Sequence, residues 1–194
     1  KEIIENLYYP KSPYEFSVIG AELLGNVYEQ FLGKVIRLTA GHQAKVEEKP
    51  EVKKAGGVYY TPQYIVEYIV KNTVGRLLDN APASGTPSLV KRGLGGVSPK
   101  DVSNIRILDP ACGSGSFLIG AYQYLLDWHL KWYRENDPEK HAKGKTPAIY
   151  MGAGKEWRLT TQEKKRILLN NIYGVDIDRQ AVEVTKLSLL LKLL

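Results

Sequence analysis

Between Ser17 and Leu38, apolar residues recur at helical spacing. Ile19, Leu23, Val27, Phe31 and Val35 form one stripe, with Leu24, Tyr28, Leu32 and Ile36 beside it. This pattern predicts a helix over 17–38, preceded by an irregular start containing Pro10 and Pro13 and followed by a loose polar stretch over 39–57. A second helical pattern runs through Ile65, Val66, Ile69, Val70, Thr73, Val74, Leu77 and Leu78. Thr61 reads as its N-cap and Pro62 as its first helical residue. Asp79–Asn104, rich in Pro, Gly and Ser, reads as a mobile loop. The short apolar run from Ile105 to Leu108 then reads as a buried strand, and a helix is expected from Ser116 to Arg134. Asn136–Arg158 reads as a second loop-like insertion. Thr160-Thr-Gln-Glu163 has the form of a capping box opening a helix to about Leu169. A strand over Ile172–Val175 and a helix from Arg179 into the apolar run Leu187–Leu194 close the pattern. A strand, a glycine turn and a helix, followed by a second strand and helix, place the chain in the α/β class.

The turn after the first strand carries the candidate chemistry. Asp109-Pro110 ends the strand, because proline continues neither a helix nor a central strand easily. Gly113 and Gly115 bring backbone close to a ligand in the manner of nucleotide-binding sheets. The dinucleotide fingerprint is excluded, because Leu118 stands where its third glycine would be. An acid at the strand tip repels a pyrophosphate and suits a cationic amino group. S-adenosylmethionine has such a group and no phosphate. At the end of the second strand, Asp176 offers two acceptor oxygens to a ribose diol. Asp178 is a competitor for that role, although its preferred reading is an N-cap for the helix from Arg179.

The string Asp109-Pro-Ala-Cys-Gly-Ser-Gly-Ser-Phe-Leu118 resembles the cofactor loop of amino-methylating DNA methyltransferases, above all the adenine-N6 group. Gly57-Val-Tyr-Tyr-Thr-Pro62 resembles the G-x-Y-x-T-P segment that precedes this loop in adenine methyltransferases whose target-recognition region follows the catalytic domain. Val27-Tyr-Glu-Gln-Phe-Leu-Gly-Lys34 is similar to the helical lead-in of large fused restriction–modification enzymes. The three segments that should meet the cofactor, Gly57–Pro62, the loop and Asp176, stand in the family's order. The family often has proline where this chain has Arg179.

The resemblance implies a Rossmann-like S-adenosylmethionine-dependent methyltransferase fold, incomplete in this chain. Residues 1–57 would be a helical lead-in and 58–194 the start of the methyltransferase domain. It implies cofactor contacts from Tyr60, Thr61, Asp109, Pro110, Ala111, Gly113, Gly115, Ser116, Phe117, Asp176 and Ile177. Among these, Thr61 would lie over the methionine end, Asp109 near the ammonium, Asp176 on the ribose and Ile177 on the adenine. Double-stranded DNA would be the substrate of the full-length protein, with a specificity or nuclease domain or subunit as a further partner. The family's N-P-P-Y or D-P-P-Y string, which binds the target amine and stacks on a flipped base, has no counterpart, since the chain contains no Pro-Pro pair. No catalytic residue is therefore assigned, and the chain alone is expected not to methylate DNA. Cytosine-N4 methylation and a non-catalytic cofactor-binding module are the alternatives.

Composition alters this picture little. A chain of 194 residues with 43% hydrophobic and 25% charged residues can bury one sizeable core. A net charge of +6 suits a polyanionic partner without demanding one. The single cysteine, Cys112, rules out an internal disulfide and favours a reducing, cytoplasmic setting. His42, His129 and His141 lack metal-ligand spacing, and no apolar run is long enough to span a membrane.

Overall fold

The computed structural model describes residues 34–48, 61–78 and 97–193, together with Leu23, Gly25, Val27 and Tyr28. Those four isolated residues are helical, as the lead-in pattern predicts. The helix does not extend to Leu38. Lys34–Leu38 forms strand β1, which pairs antiparallel with β2, Ala44–Glu48, with Ile36 opposite Val46. Thr39 turns the chain: its carbonyl accepts the His42 N–H at 2.9 Å, and its own N–H donates to the Gln43 carbonyl at 2.9 Å. The helical reading of 34–38 and the loose reading of 44–48 are both corrected. The five residues of each strand pair in register, and β-branched Ile36 and Val46, directly opposite each other, favour that geometry.

Helix α1, Gln63–Val70, runs into a π-helical turn over Lys71–Gly75 and a last α-turn over Arg76–Leu78. Its N-cap is Pro62 and no side chain caps it, so Thr61 lies one residue outside the predicted position. The Pro62 carbonyl accepts the N–H groups of Ile65 and Val66. Val66, Val70, Val74 and Leu78 are buried at strict four-residue spacing. In an α-helix that spacing drifts about 40° per step. The wider π turn takes up the drift and keeps all four on one face.

Helix α2, Pro99–Val102, falls inside the stretch read as a loop. Ser98 and Asp101 form a reciprocal capping box, Pro99 occupies the first turn, and Val97 and Val102 are buried. Strand β3, Ile107–Asp109, leads through the glycine turn to α3, Ser116–Glu135. The second insertion, over 136–158, carries regular structure. It contains α4, Pro138–His141, and a hairpin of β4, Ile149–Met151, with β5, Trp157–Leu159. Ile149 and Leu159 anchor this hairpin in the core. Helix α5, Thr161–Asn171, then enters strand β6, Ile172–Gly174, which pairs in parallel with β3. Helix α6, Arg179–Leu193, follows.

Helix α3 is the centre of the core. Leu118, Ile119, Ala121, Tyr122, Leu125 and Leu126 are buried among α1, β3, β6 and α5. Gly120 lets α1 approach, because a Cβ there would lie 2.4 Å from Val66 Cγ1. Asn171, at the α5–β6 junction, donates through Nδ2 to the carbonyls of Val102 (2.7 Å) and Ile105 (2.8 Å). This ties the start of β6 to the approach of β3 and fixes the parallel register. Thr160 caps α5 by accepting the Glu163 N–H at 3.2 Å. The Glu163 carboxylate turns inward instead of completing the box. It accepts from the Tyr133 hydroxyl at 2.7 Å and from Arg166 at 2.6 and 2.7 Å.

Candidate functional site

Strands β3 and β6 run the same way, so their carboxyl ends deliver Asp109 and the Val175–Asp178 segment to one place. The ladder continues past the strands. Val175 N–H donates to the Asp109 carbonyl at 2.9 Å, and Cys112 N–H donates to the Val175 carbonyl at 2.9 Å. The glycine loop is thus stitched to β6 by backbone alone. Asp109 Oδ1 accepts the Ala111 N–H at 3.0 Å, the local turn that short acidic side chains favour after a strand.

The loop then makes two left-handed residues, Gly113 at φ 52° and Gly115 at φ 86°, a region that L side chains avoid. Gly115 is constrained twice over. A Cβ there would lie 2.6 Å from Thr185 Cγ2 and 2.8 Å from Thr185 Oγ1. Gly113 is held from both sides of its residue. Its N–H donates to Asp176 Oδ2 at 2.8 Å, and its carbonyl accepts from Thr185 Oγ1, on α6, at 2.8 Å. Asp176 Oδ1 also accepts the Asp178 N–H at 2.8 Å. One carboxylate therefore braces both turns.

Asp178 behaves as the helix cap that its position suggests, accepting the Gln180 N–H on Oδ1 at 2.9 Å. Its other oxygen, Oδ2, accepts from the Tyr28 hydroxyl at 3.2 Å. Burial, reinforced by the Asp178 carboxylate, pushes the Tyr28 phenol up to about 12. A Cβ on Gly25 would lie 3.1 Å from Ser114 Oγ. These two contacts bring the lead-in against the loop. Ile177 is 106% exposed, an apolar side chain standing free at the tip of β6.

Asp176 bonds Gly113 directly, Asp109 joins them through its carbonyl on the Val175 N–H, and the Gly115 N–H donates to the Cys112 carbonyl at 2.8 Å. Pro110 and Ala111 are exposed on the loop. Ser116 begins α3, and half-buried Phe117 packs on the core. Thr61 is exposed ahead of α1. Tyr60 lies outside the described residues. Sequence reasoning missed Thr185, Tyr28 and Gly25. Thr185 sits in a helical pattern where a small polar residue signals nothing. Tyr28 stands beside the lead-in stripe, with nothing local to indicate its partner 150 positions away.

A cavity of about 300 Å³ opens between α1 and α3, lined by Gln63, Val66, Val70, Gly120, Gln123 and Tyr124 among others. It reaches the loop at Ser116. Burial holds the Cys112 thiol above its usual range, as do the neighbouring Asp176 and Asp109 carboxylates. That opposes any nucleophilic role. Among the described residues there is no cluster of side chains fit to hold a metal ion, and no helix is long and apolar enough to cross a membrane.

The fit to a nucleoside with a cationic side chain can be judged from these contacts. A carboxylate offers about four lone-pair sites, and Asp176 spends two of them on backbone N–H groups. Two remain for a diol. The left-handed glycines present backbone without side chains, and Ile177 presents an uncovered apolar surface. The residues fit.

These elements are those of an α/β methyltransferase domain. Residues 96–193, just over half of the chain, match the family described as MmeI, DNA-methyltransferase domain, and the chain belongs to that family. It is similar to the type II restriction enzyme and methyltransferase RM.Eco57I of Escherichia coli, at 34% identity over 192 residues, covering 99% of this chain and 17% of that protein. It is 30% identical over 187 residues to the adenine-specific methyltransferase BrxX of Escherichia coli O9:H4 (strain HS), covering 88% of this chain and 13% of that protein. It is 26% identical over 155 residues to the adenine-specific methyltransferase PglX of Lacticaseibacillus casei (strain Zhang), covering 69% and 11%. The chain thus spans less than a fifth of the length of these relatives. The family resemblance read from the loop string is borne out.

Proposed function

We propose that this chain forms the S-adenosylmethionine-binding part of an adenine-N6 DNA methyltransferase of a restriction–modification or related defence system, built on a Rossmann-like sheet. The observation that carries the reading is the double use of Asp176. It shapes the loop through Gly113 and keeps acceptor capacity for a ribose at the carboxyl end of a parallel strand pair. The names of the relatives supply the reaction class.

In this reading Asp176 accepts from the ribose hydroxyls and Ile177 packs on the adenine. Asp109 holds the amino-acid ammonium, while Tyr60 and Thr61 cover the methionine end. Pro110, Ala111, Ser116 and Phe117 complete the loop, with Gly113 and Gly115 allowing close backbone approach. The bound cofactor supplies an electrophilic methyl group. The residues named here contribute positioning and charge complementarity, which are the protein's share in such a transfer. No residue of the chain is assigned to the target amine. Double-stranded DNA is the substrate of the whole enzyme, and a specificity or nuclease part is its partner.

Titration calorimetry of the chain with S-adenosylmethionine tests the cofactor assignment. Saturable one-to-one binding is expected, and no heat at millimolar ligand would refute it. Labelled methyl incorporation into DNA tests the division of labour. The chain alone is expected to be inactive. Robust incorporation would place the amine site within residues 1–194.

A further inference from the structure

We propose that Thr185 is a positioning residue for the cofactor loop, acting through its hydroxyl on the Gly113 carbonyl. The inference rests on the cofactor reading above and adds to it a residue outside every loop motif. Thr185 lies on the second turn of α6, 4% exposed, and donates Oγ1–H to the Gly113 carbonyl at 2.8 Å. The Gly113 N–H is taken by Asp176 Oδ2 at 2.8 Å. A residue bonded through both its N–H and its C=O to two side chains has little rotational freedom about its φ and ψ. The left-handed conformation at Gly113 is therefore selected by partners 63 and 72 positions away.

The methyl and hydroxyl of Thr185 also fill the volume into which a Gly115 side chain would project. One side chain thus fixes the first left-handed residue by a hydrogen bond and excludes a side chain from the second by contact. An unpinned loop would sample many conformations, and only the fraction in the binding geometry would take the cofactor. Thr185 raises that fraction without touching the ligand.

Two substitutions separate hydroxyl from methyl. Thr185→Val keeps the shape and removes the donor. Thr185→Ser keeps the donor and removes the methyl. Hydrogen exchange of the Gly113 and Gly115 amides in the ligand-free chain reads the loop directly, and calorimetric titration with S-adenosylmethionine reads its consequence. Thr185→Val should speed exchange at Gly113 and weaken binding about tenfold, the loss of one buried hydrogen bond. Thr185→Ser should restore both to within about twofold of the unsubstituted chain. Unchanged exchange and affinity in Thr185→Val would overturn the proposal, as would Thr185→Ser behaving like Thr185→Val. If the unsubstituted chain binds no cofactor while Thr185→Val still speeds exchange at Gly113, the cofactor reading falls and the pin itself stands.

Discussion

Replacing Asp176 with alanine removes the acceptor of two backbone N–H groups at once, those of Gly113 and Asp178, each bonded at 2.8 Å. A hydrogen bond to a charged acceptor contributes about 1.5–3 kcal/mol. Asp176 is half-buried and water can reach the vacated donors, so the low end applies to each, about 3 kcal/mol together. In a chain of 194 residues that corresponds to a fall in Tm of roughly 6–12 °C. The same substitution removes the proposed ribose acceptor, so cofactor affinity should fall by tenfold or more. Thermal melting by circular dichroism at pH 7, beside a calorimetric titration, measures both. A residue that serves only the ligand would lower affinity and leave the melt alone. A Tm within about a degree of the parent would therefore refute the bracing role inferred from the hydrogen bonds.

Burial pushes His129 down to about 4, although its Nδ1 donates to the Leu125 carbonyl at 2.7 Å; its buried Nε2 has no partner among the described residues. A base with a depressed folded value stabilises fully above its unfolded value near 6.5 and loses that contribution as pH falls towards 4. The loss is on the order of 3 kcal/mol, and a His129→Phe variant should show a flatter Tm profile across that window. Burial alone would raise the Glu163 carboxyl, but hydrogen bonds from Arg166 and Tyr133 outweigh it and hold it below 4.5. Its contribution is complete above 4.5 and disappears at lower pH, so Glu163→Gln should be less stable at pH 7 and less acid-sensitive below 4.5, as read by urea midpoints. Gly120→Ala should cost about 1–3 kcal/mol by driving a methyl into Val66. Val66→Ala opens a cavity of its own, since Val66 is buried, so the two costs should be less than additive in a double-mutant cycle, and strictly additive costs would contradict the contact.

The loop string and both parallel strands were legible because their chemistry is local. Asp109, the two glycines and Asp176 each announce a strand end or a turn. The departures lie where distant partners decide. Lys34–Leu38 kept a helical stripe, yet pairing with Ala44–Glu48 made it a strand. The residues from Asn136 to Arg158 look like a loop until α3 offers Ile149 and Leu159 a place to be buried. Ser98-Pro99-Lys100-Asp101 did carry a readable helix start, a cap with an acid three residues on, obscured by its Gly-rich surroundings. The four-residue spacing of Val66, Val70, Val74 and Leu78 was visible too, and an ideal α-helix cannot keep it on one face. Nothing short of the fold pairs Thr185 with Gly113 or Asn171 with Ile105.

The long reach of the Gly113 contacts has a consequence for the order of assembly. Its partners lie 63 and 72 positions downstream, beyond the whole of α3, the hairpin and α5. Closing such a span costs chain entropy that only the finished pairing of β6 on β3 repays. The glycine turn is therefore among the last parts of the chain to take shape, although its sequence is the most recognisable. A ligand that binds only the closed turn would stabilise this late step by mass action, linking cofactor supply to completion of the fold.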